Sequence, residues 1–581
     1  MKILFYSLNS AIWMHALPEN RLVRELVAAG EEVTYVTCGS CFPQHCTSMS
    51  ASRIELGDNQ TRKDAVCRTC IRNATILAES NGADHLELRD FISDADDVAA
   101  SRLVDALSPE RYLEFRYMGV DVGRLASYEL FLKYKKMSPR LTAEQWEYCK
   151  CYIKYGLISL LGFSRLFRSK KPDAVVFYSP QYGINGICAA FTESEGSATL
   201  FVEGSSSNSE RYKALRIWRW SVHGLVNPAL QYWSQADTLL PNEIRRLRGH
   251  FRELVSGKSF AVYSSPATGK TVSVRAQLKI PKDAKILLMT LSSFDEAYAA
   301  YIIGRFPERK VTSPVFKDQF EWVKSTLDHF AARNDLCIVV RVHPRDFPNK
   351  RETTLSEQAQ VWSDLFVSAP GNVRVNWPDD RLSLYDILRE ADLVVTGWSA
   401  TGVEALALGI PVVTYDAGLP SYPKDIHFSG VSRGEYFENI ERALVAGRQP
   451  SLVDGAFRWL GLSFSRGTVR ITPPIRTERL VRFLVFHRLR SFVEGVIEGL
   501  VKRMDARRKF GPAGEADRFL RLIGAECPDL FSAADPAVPD QADKAAVTRA
   551  IRAEHARFAS AIGLRAVPTT DLDSTRSRTG S

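Results

Sequence analysis

Apolar residues fall along this chain in two alternating rhythms. Residues 2–8 hold Ile3, Leu4, Phe5 and Tyr6 in a short run rich in strand formers. Residues 18–29 then set Leu22, Val23, Leu26 and Val27 at helical spacing and stop at Gly30, a residue suited to a helix C-cap. Residues 32–37 return to strand character with Val33, Tyr35 and Val36. A strand, a helix and a strand of this size imply a parallel crossover. The same rhythm recurs as a strand at 173–178, a helix at 184–195 closed by Gly196, and a strand at 198–203. Between these units, 85–165 reads as mainly helical.

A small, polar stretch at 263–270 places a boundary within 262–284. A second alternating unit follows. Its expected strands are 285–291, 336–342, 373–376, 392–396 and 411–415, and its helices 315–332, 382–389 and 401–408. Beyond about 450 the character changes: 476–509 and 511–564 read as helix, and 569–581 as a polar, disordered tail. The expected class is α/β, with two Rossmann-like doubly wound domains facing a cleft, plus C-terminal helices. The domains are drawn as 1–265, 266–450 and 451–565, with the tail from 566 to 581. The first carries a Cys-rich insertion at 38–70 and a helical insertion.

Composition narrows the partners. The chain has 581 residues, 45% of them hydrophobic and 25% charged, which excludes wholesale disorder and fibrous structure. No apolar stretch reaches the ~18 residues that a bilayer span needs. Ser7, Asn9 and Ser10 interrupt the first apolar run, so it reads as a buried strand rather than a signal peptide. A cytoplasmic protein is expected. The net charge of +9 suits anionic partners. No nucleic-acid-binding motif accompanies it, so no nucleic acid is expected.

Candidate chemistry is concentrated at three places. Residues 391–413 run from a buried strand through Gly397-Trp398-Ser399-Ala400-Thr401-Gly402 into a helix. Such a turn presents backbone N–H groups and a positive helix end to an anion. Ser399 and Thr401 add hydroxyls, and Glu404 can accept from ribose hydroxyls. A second strand, Ile338-Val339-Val340-Arg341-Val342, ends in His343-Pro344-Arg345. At the carboxyl edge of a parallel sheet these groups can hold a phosphate. A third strand end, Leu291-Ser292-Ser293-Phe294-Asp295-Glu296, reaches the same edge and adds hydroxyls and acids.

On these residues, 285–430 resembles the donor domain of GT-B glycosyltransferases. It is most similar to the bacterial capsule and surface-polysaccharide group, including Kdo transferases and CDP-glycerol-type polymerases. The resemblance implies a GT-B-like fold and a nucleotide-sugar donor held by His343, Pro344, Ser399, Thr401 and Glu404, with Gly402 in the same turn. Arg345, Ser292 and Ser293 join them from the adjacent turn and strand end. Bacterial sialyltransferases carry a similar His-Pro turn that works on CMP-sugars, so a CMP-linked donor is favoured. The first domain would then face a glycan or lipid-linked acceptor. Glu203 and His15, both at strand ends of that half, are the expected general bases. No Asp-x-Asp stands at a strand end, so no catalytic divalent metal is expected.

Cys38, Cys41, Cys46, Cys67 and Cys70 include two C-x2-C pairs. Such pairs suit a structural zinc or an iron–sulfur cluster, or remain free thiols. Residues 476–509 carry ten Lys/Arg against four Asp/Glu among many apolar residues. That pattern suits either packing across the domains or contact with an anionic membrane at its inner face. The whole reads as a glycosyltransferase of surface-polysaccharide synthesis. A CDP-polyol phosphotransferase, a sugar-nucleotide epimerase and a metal-stabilised scaffold remain alternatives.

Overall fold

The computed structural model describes residues 1–219, 228–269, 271–419, 422–475, 490–533 and 541–567, with side chains in the last two segments from 496 and 544 onward. It contains two sheets. The first is built from β1 (Lys2–Tyr6), β2 (Glu32–Thr37), β3 (Asp84–Glu87), β4 (Ala174–Tyr178), β5 (Ala198–Gly204) and β6 (Ala214–Arg219). The second holds β7 (Lys285–Thr290), β8 (Leu336–Arg341), β9 (Val373–Asn376), β10 (Leu393–Thr396), β11 (Val412–Thr414) and β12 (Phe428–Ser429). A late strand, β13 (Val469–Arg470), returns to the edge of the first sheet.

The strand orders are β13-β6-β5-β4-β1-β2-β3 and β12-β11-β10-β7-β8-β9. The second sheet is parallel throughout; the first is parallel except for β6 and β13. Period-two burial shows why both sheets are covered on two faces. Ile3 and Phe5 enter one core while Leu4 and Tyr6 enter another. In β7, Ile286 and Leu288 face one core and Leu287 and Met289 the other.

In each sheet the strand order reverses beside the first strand, between β1 and β4 and between β7 and β10. At these switch points the connections diverge to opposite sides and leave a crevice at the carboxyl ends of the strands. The two crevices are therefore fixed by topology before any side chain is considered.

Several boundaries differ from the expectation. The first helix spans Trp13–Ala28 and takes Pro18 inside it. Its buried face, with Leu17, Leu22, Val23 and Leu26, holds the helix through the lost ladder bond. The helix expected at 315–332 is Gln319–His329, started by Asp318 accepting from the Glu321 N–H at 2.8 Å. The helix expected at 401–408 is only Thr401–Leu406.

The domain boundaries also shift. Residues 228–262, drawn with the first domain, supply Leu239, Ile244, Leu247 and Phe251 to the core beneath the second sheet. The C-terminal extension divides between the two cores. Helices Pro450–Gly461 and Gln541–Ala561 join the second core, and β13 and Glu515–Ile523 join the first. Among the described residues no helix is long and apolar enough to cross a membrane. Residues 476–489 and the tail from 568 lie outside the described residues.

Candidate functional site

A cleft of about 620 Å³ opens at the β7/β10 switch point. Its wall contains the ends of three strands. Ser292 and Ser293 follow β7, Arg341 ends β8 with His343 beyond it, and Ser399, Thr401 and Glu404 follow β10. Residues from the other side of the chain's midpoint, including Arg211 and His250, close it. The sequence-derived donor residues are thus brought together, with two exceptions.

Arg345 is the first exception. Its guanidinium is buried, with Nε donating to Asp295 at 2.9 Å and a terminal N–H donating to the Leu132 carbonyl at 2.9 Å. It also pairs with Glu352. With these acceptors in place it ties the His-Pro turn to helix Tyr128–Tyr134 and is not among the residues lining the cleft. Lys135 reinforces the same joint by donating to the carbonyls of Arg345 and Thr354. Gly402 is the second exception. A Cβ there would stand 2.2 Å from the Tyr422 hydroxyl, so its role is to let the helix lie against a cleft-lining tyrosine.

His343 accepts the Arg345 backbone N–H at Nδ1, at 3.2 Å. Burial, followed by Arg345, Arg341, Arg351 and Lys135 nearby, lowers its pKa to about 3. The ring is therefore neutral, and with Nδ1 accepting, its proton sits on Nε2. A neutral N–H donor on the cleft wall can bind a phosphate oxygen or a leaving-group oxygen.

Glu404 is buried and accepts from the Tyr385 hydroxyl at 2.8 Å. Burial raises its pKa to about 7, against the opposing pull of that hydrogen bond. Ser399 donates to Thr401 Oγ1 at 3.2 Å and accepts the Thr401 N–H at 3.3 Å. Ser293 donates to Asp295, so its hydroxyl hydrogen is already used.

Sequence reasoning missed other members of the site. Arg341 donates to Asn376 and to the Leu382 carbonyl at 3.0 Å, and burial lowers its pKa to about 10. It still carries positive charge at neutral pH. The signal was present in the sequence: a lone cation ends an otherwise apolar strand. The hydroxyls of Tyr263, Thr290, Ser292, Tyr422 and Ser463 line the cleft, are buried and have no protein partner among the described residues. Buried hydroxyls normally find partners, so this concentration marks a wall built for a polar ligand.

On the first sheet, Glu203 accepts from Arg216 at 2.6 Å and from Ser179 at 3.1 Å. The antiparallel pairing of β5 with β6 sets Glu203 opposite Arg216 and so causes the ion pair. Neither Glu203 nor His15 lines the cleft. His15 stacks on Tyr178 with ring centroids 4.3 Å apart. Its Nδ1 is buried without a hydrogen-bond partner among the described residues, and burial, then Arg211, lowers its pKa to about 4. Arg211 also lines the cleft and is the cation that acts on His15.

The cysteines converge elsewhere. Cys38, Cys46, Cys67 and Cys70 line a small hollow with Thr37 and Glu87. Cys41 is not among the residues lining this hollow; it is buried in the apolar core, its thiol donating to the Cys38 carbonyl at 2.6 Å and lying against the Cys38 thiol. Among the described residues, no group of three or more His, Cys, Asp or Glu side chains is arranged to hold a metal ion. Burial raises the pKa of Cys70 to about 12, with Cys38 adding to it, and Cys67 is raised for the same reasons. These thiols stay protonated at neutral pH.

Two Rossmann-like sheets with opposed switch points and a C-terminal chain that recrosses to the first sheet make the architecture GT-B-like. No family model and no curated protein matches the chain. Solved structures do. One is KpsC of Thermosulfurimonas dismutans, a beta Kdo 2,7 transferase, at 15% identity, covering 53% of this chain and 82% of that one with a TM-score of 0.31. Another is the calicheamicin glycosyltransferase CalG4, at 15% identity, covering 80% and 94% with a TM-score of 0.24. A third is a UDP-GlcNAc 2-epimerase from Neisseria meningitidis bound to UDP-GlcNAc, at 11% identity, covering 86% and 100% with a TM-score of 0.24.

Proposed function

We propose that the protein is a glycosyltransferase that moves a sugar from a nucleotide-activated donor, CMP-linked by preference, to a hydroxyl of a surface polysaccharide or lipid-linked glycan. One observation carries the reading. Three strand ends of the second sheet meet at its switch point in a cleft whose wall holds a cation, a neutral N–H donor and unpartnered hydroxyls. A cavity of about 620 Å³ falls within the size range of small-ligand sites.

Arg341 and the His343 Nε2–H hold the donor phosphate, with Ser292, Ser399 and Thr401 as further partners. The helix after β10 has six residues, so these side chains rather than a long helix dipole carry the anion. Glu404 takes the ribose hydroxyls. His15 is the base, since Arg216 already occupies Glu203. Its neutral Nδ1 accepts the proton of the acceptor hydroxyl as that oxygen attacks the anomeric carbon. The bond from that carbon to the phosphate oxygen breaks, and the nucleotide leaves with the electron pair beside Arg341 and His343. The preference for CMP rests on the likeness of the His343-Pro344 turn to that of sialyltransferases.

Nucleotide release from CMP-, CDP- and UDP-linked donors, with and without glycan acceptors, tests this reading. Release should require an acceptor and be fastest with a CMP-sugar. Glu404 binds ribose as the carboxylate, so donor affinity should rise as pH rises through about 7. Glu404→Gln should weaken affinity and flatten that profile. Donor conversion without acceptor would replace transfer with epimerisation, and a phosphodiester product would replace it with polyol-phosphate transfer.

A further inference from the structure

The helix Arg490–Ala506 leans on the first domain and leaves one face uncovered. Its inner side is well anchored. Asp505 accepts from Arg21 at 2.9 Å, with both side chains fully buried. Lys502 donates to Asn73 at 3.1 Å and lies 5.3 Å from the Trp13 ring. Asn73 in turn donates to the Ser10 carbonyl at 2.8 Å, so the helix flanks the loop that leads to His15. The inner side thus packs on the first domain, where packing across the two domains was one of the two expectations for this basic stretch.

The outer side is different. Val496, Leu500 and Met504 recur every four residues and are 47%, 56% and 64% exposed. That spacing makes one continuous apolar row along the helix. Arg503 and Arg507 lie on the same face, and Lys509 follows; all three are exposed. Of the acids in this helix whose side chains are described, Glu498 pairs with Lys502, and Asp505 with Arg21 and Arg508. From 496 onward, the exposed face therefore presents apolar groups and cations with no free acid among the described side chains. The chain just before the helix continues the charge in sequence, with Arg476, Arg479, Arg482 and Arg488 against Glu478.

We propose that this outer face docks the protein on an anionic membrane surface, with Val496, Leu500 and Met504 entering the headgroup boundary and Arg503 and Arg507 meeting lipid phosphates. Charge complementarity selects this occupant. A second copy of the chain would meet the face through a two-fold axis and set its cations against themselves. Three apolar side chains in a row are also too few for a stable protein interface, which needs about 20–30 residues a side. Shallow insertion backed by cations is the arrangement by which helices lie on lipid. Docking stands without the transferase reading. A consequence does rest on that reading: the His15 loop would be held beside the membrane, where a lipid-borne acceptor arrives.

The test is co-sedimentation of the full chain with vesicles of phosphatidylcholine, alone or mixed with anionic phosphatidylglycerol. Binding should need the anionic lipid and weaken with salt. The pair Leu500→Glu and Met504→Glu, and separately Arg503→Glu and Arg507→Glu, should each cut binding about tenfold or more. All four side chains are exposed, so the thermal midpoint should not move. If a variant fails to fold, hydrogen exchange on the unaltered chain decides, since vesicles should protect the amides of 496–504. Absence of binding to anionic vesicles, or equal binding by both paired variants, overturns the proposal. So does a vesicle-independent oligomer that the variants dissociate, which would make the face an interface between copies.

Discussion

His343→Ala should lower kcat for sugar transfer by about 10²- to 10³-fold, the cost of removing one preorganised donor from a site of developing charge. The imidazole is neutral because burial and four nearby cations hold its pKa to about 3. Its Nδ1 accepts the Arg345 N–H, which leaves the ring proton on Nε2 as the donor that the proposed transfer uses. His343→Gln retains an N–H donor and should recover part of the loss. Because the ring is already neutral above pH 5, the wild-type rate should show no inflection from His343 between pH 5 and 8. A phosphate-holding imidazolium would instead lose activity as pH rises through its pKa. Steady-state kinetics of the two variants across that range separate these cases. A His343→Ala enzyme with unchanged kcat would remove the residue from the mechanism.

The second large effect is on stability. Arg345→Met should cost about 3–5 kcal/mol, because it strands Asp295, which is 2% exposed, as an unpaired buried charge. It also leaves the Leu132 carbonyl without its donor and loosens the joint between the His-Pro turn and the first domain. Chemical denaturation should show a lower midpoint with little change in slope. Adding Asp295→Asn should restore part of the loss, since a neutral amide costs less to bury than an unpaired carboxylate. A loss below about 1 kcal/mol would mean that water reaches Asp295 and that the cluster is a solvated surface network.

Both predictions depend on how much of the molecule could be read from residues alone. The parallel strands were legible because each is an apolar run followed by a helix-spaced stretch, as at Ile3–Tyr6 or Ile338–Val340. β6 and β13 were not. β6 sets Arg216 and Arg219 three residues apart among apolar residues, and β13 has two residues and forms only where β6 offers an edge. The return of the C-terminal chain to the first sheet is a long-range fact that no local pattern carries.

The site divides the same way. That His343, Ser399, Thr401 and Glu404 would meet at one sheet edge was legible because strand ends can be located from sequence. Arg345 was misassigned because sequence gives its neighbour, Pro344, but not its partners, Asp295, Glu352 and the Leu132 carbonyl. Glu203 stood beside His15 as an expected base because the antiparallel partner that supplies Arg216 has no signal in the sequence. Two of the cleft tyrosines, Tyr263 and Tyr422, lie in connections with no periodic signal and become visible only when the sheet brings them to one wall.

The central claim is that the β7/β10 crevice binds a nucleotide. Thermal unfolding of the full chain with CMP, CDP, UDP and GDP tests it most directly. A ligand that binds only the native state at about 100 times its Kd adds about 2.7 kcal/mol and raises Tm. A shift with CMP that exceeds the others and shrinks in Glu404→Gln is the expected result. No shift with any of the four nucleotides, in protein that unfolds cooperatively, would contradict it.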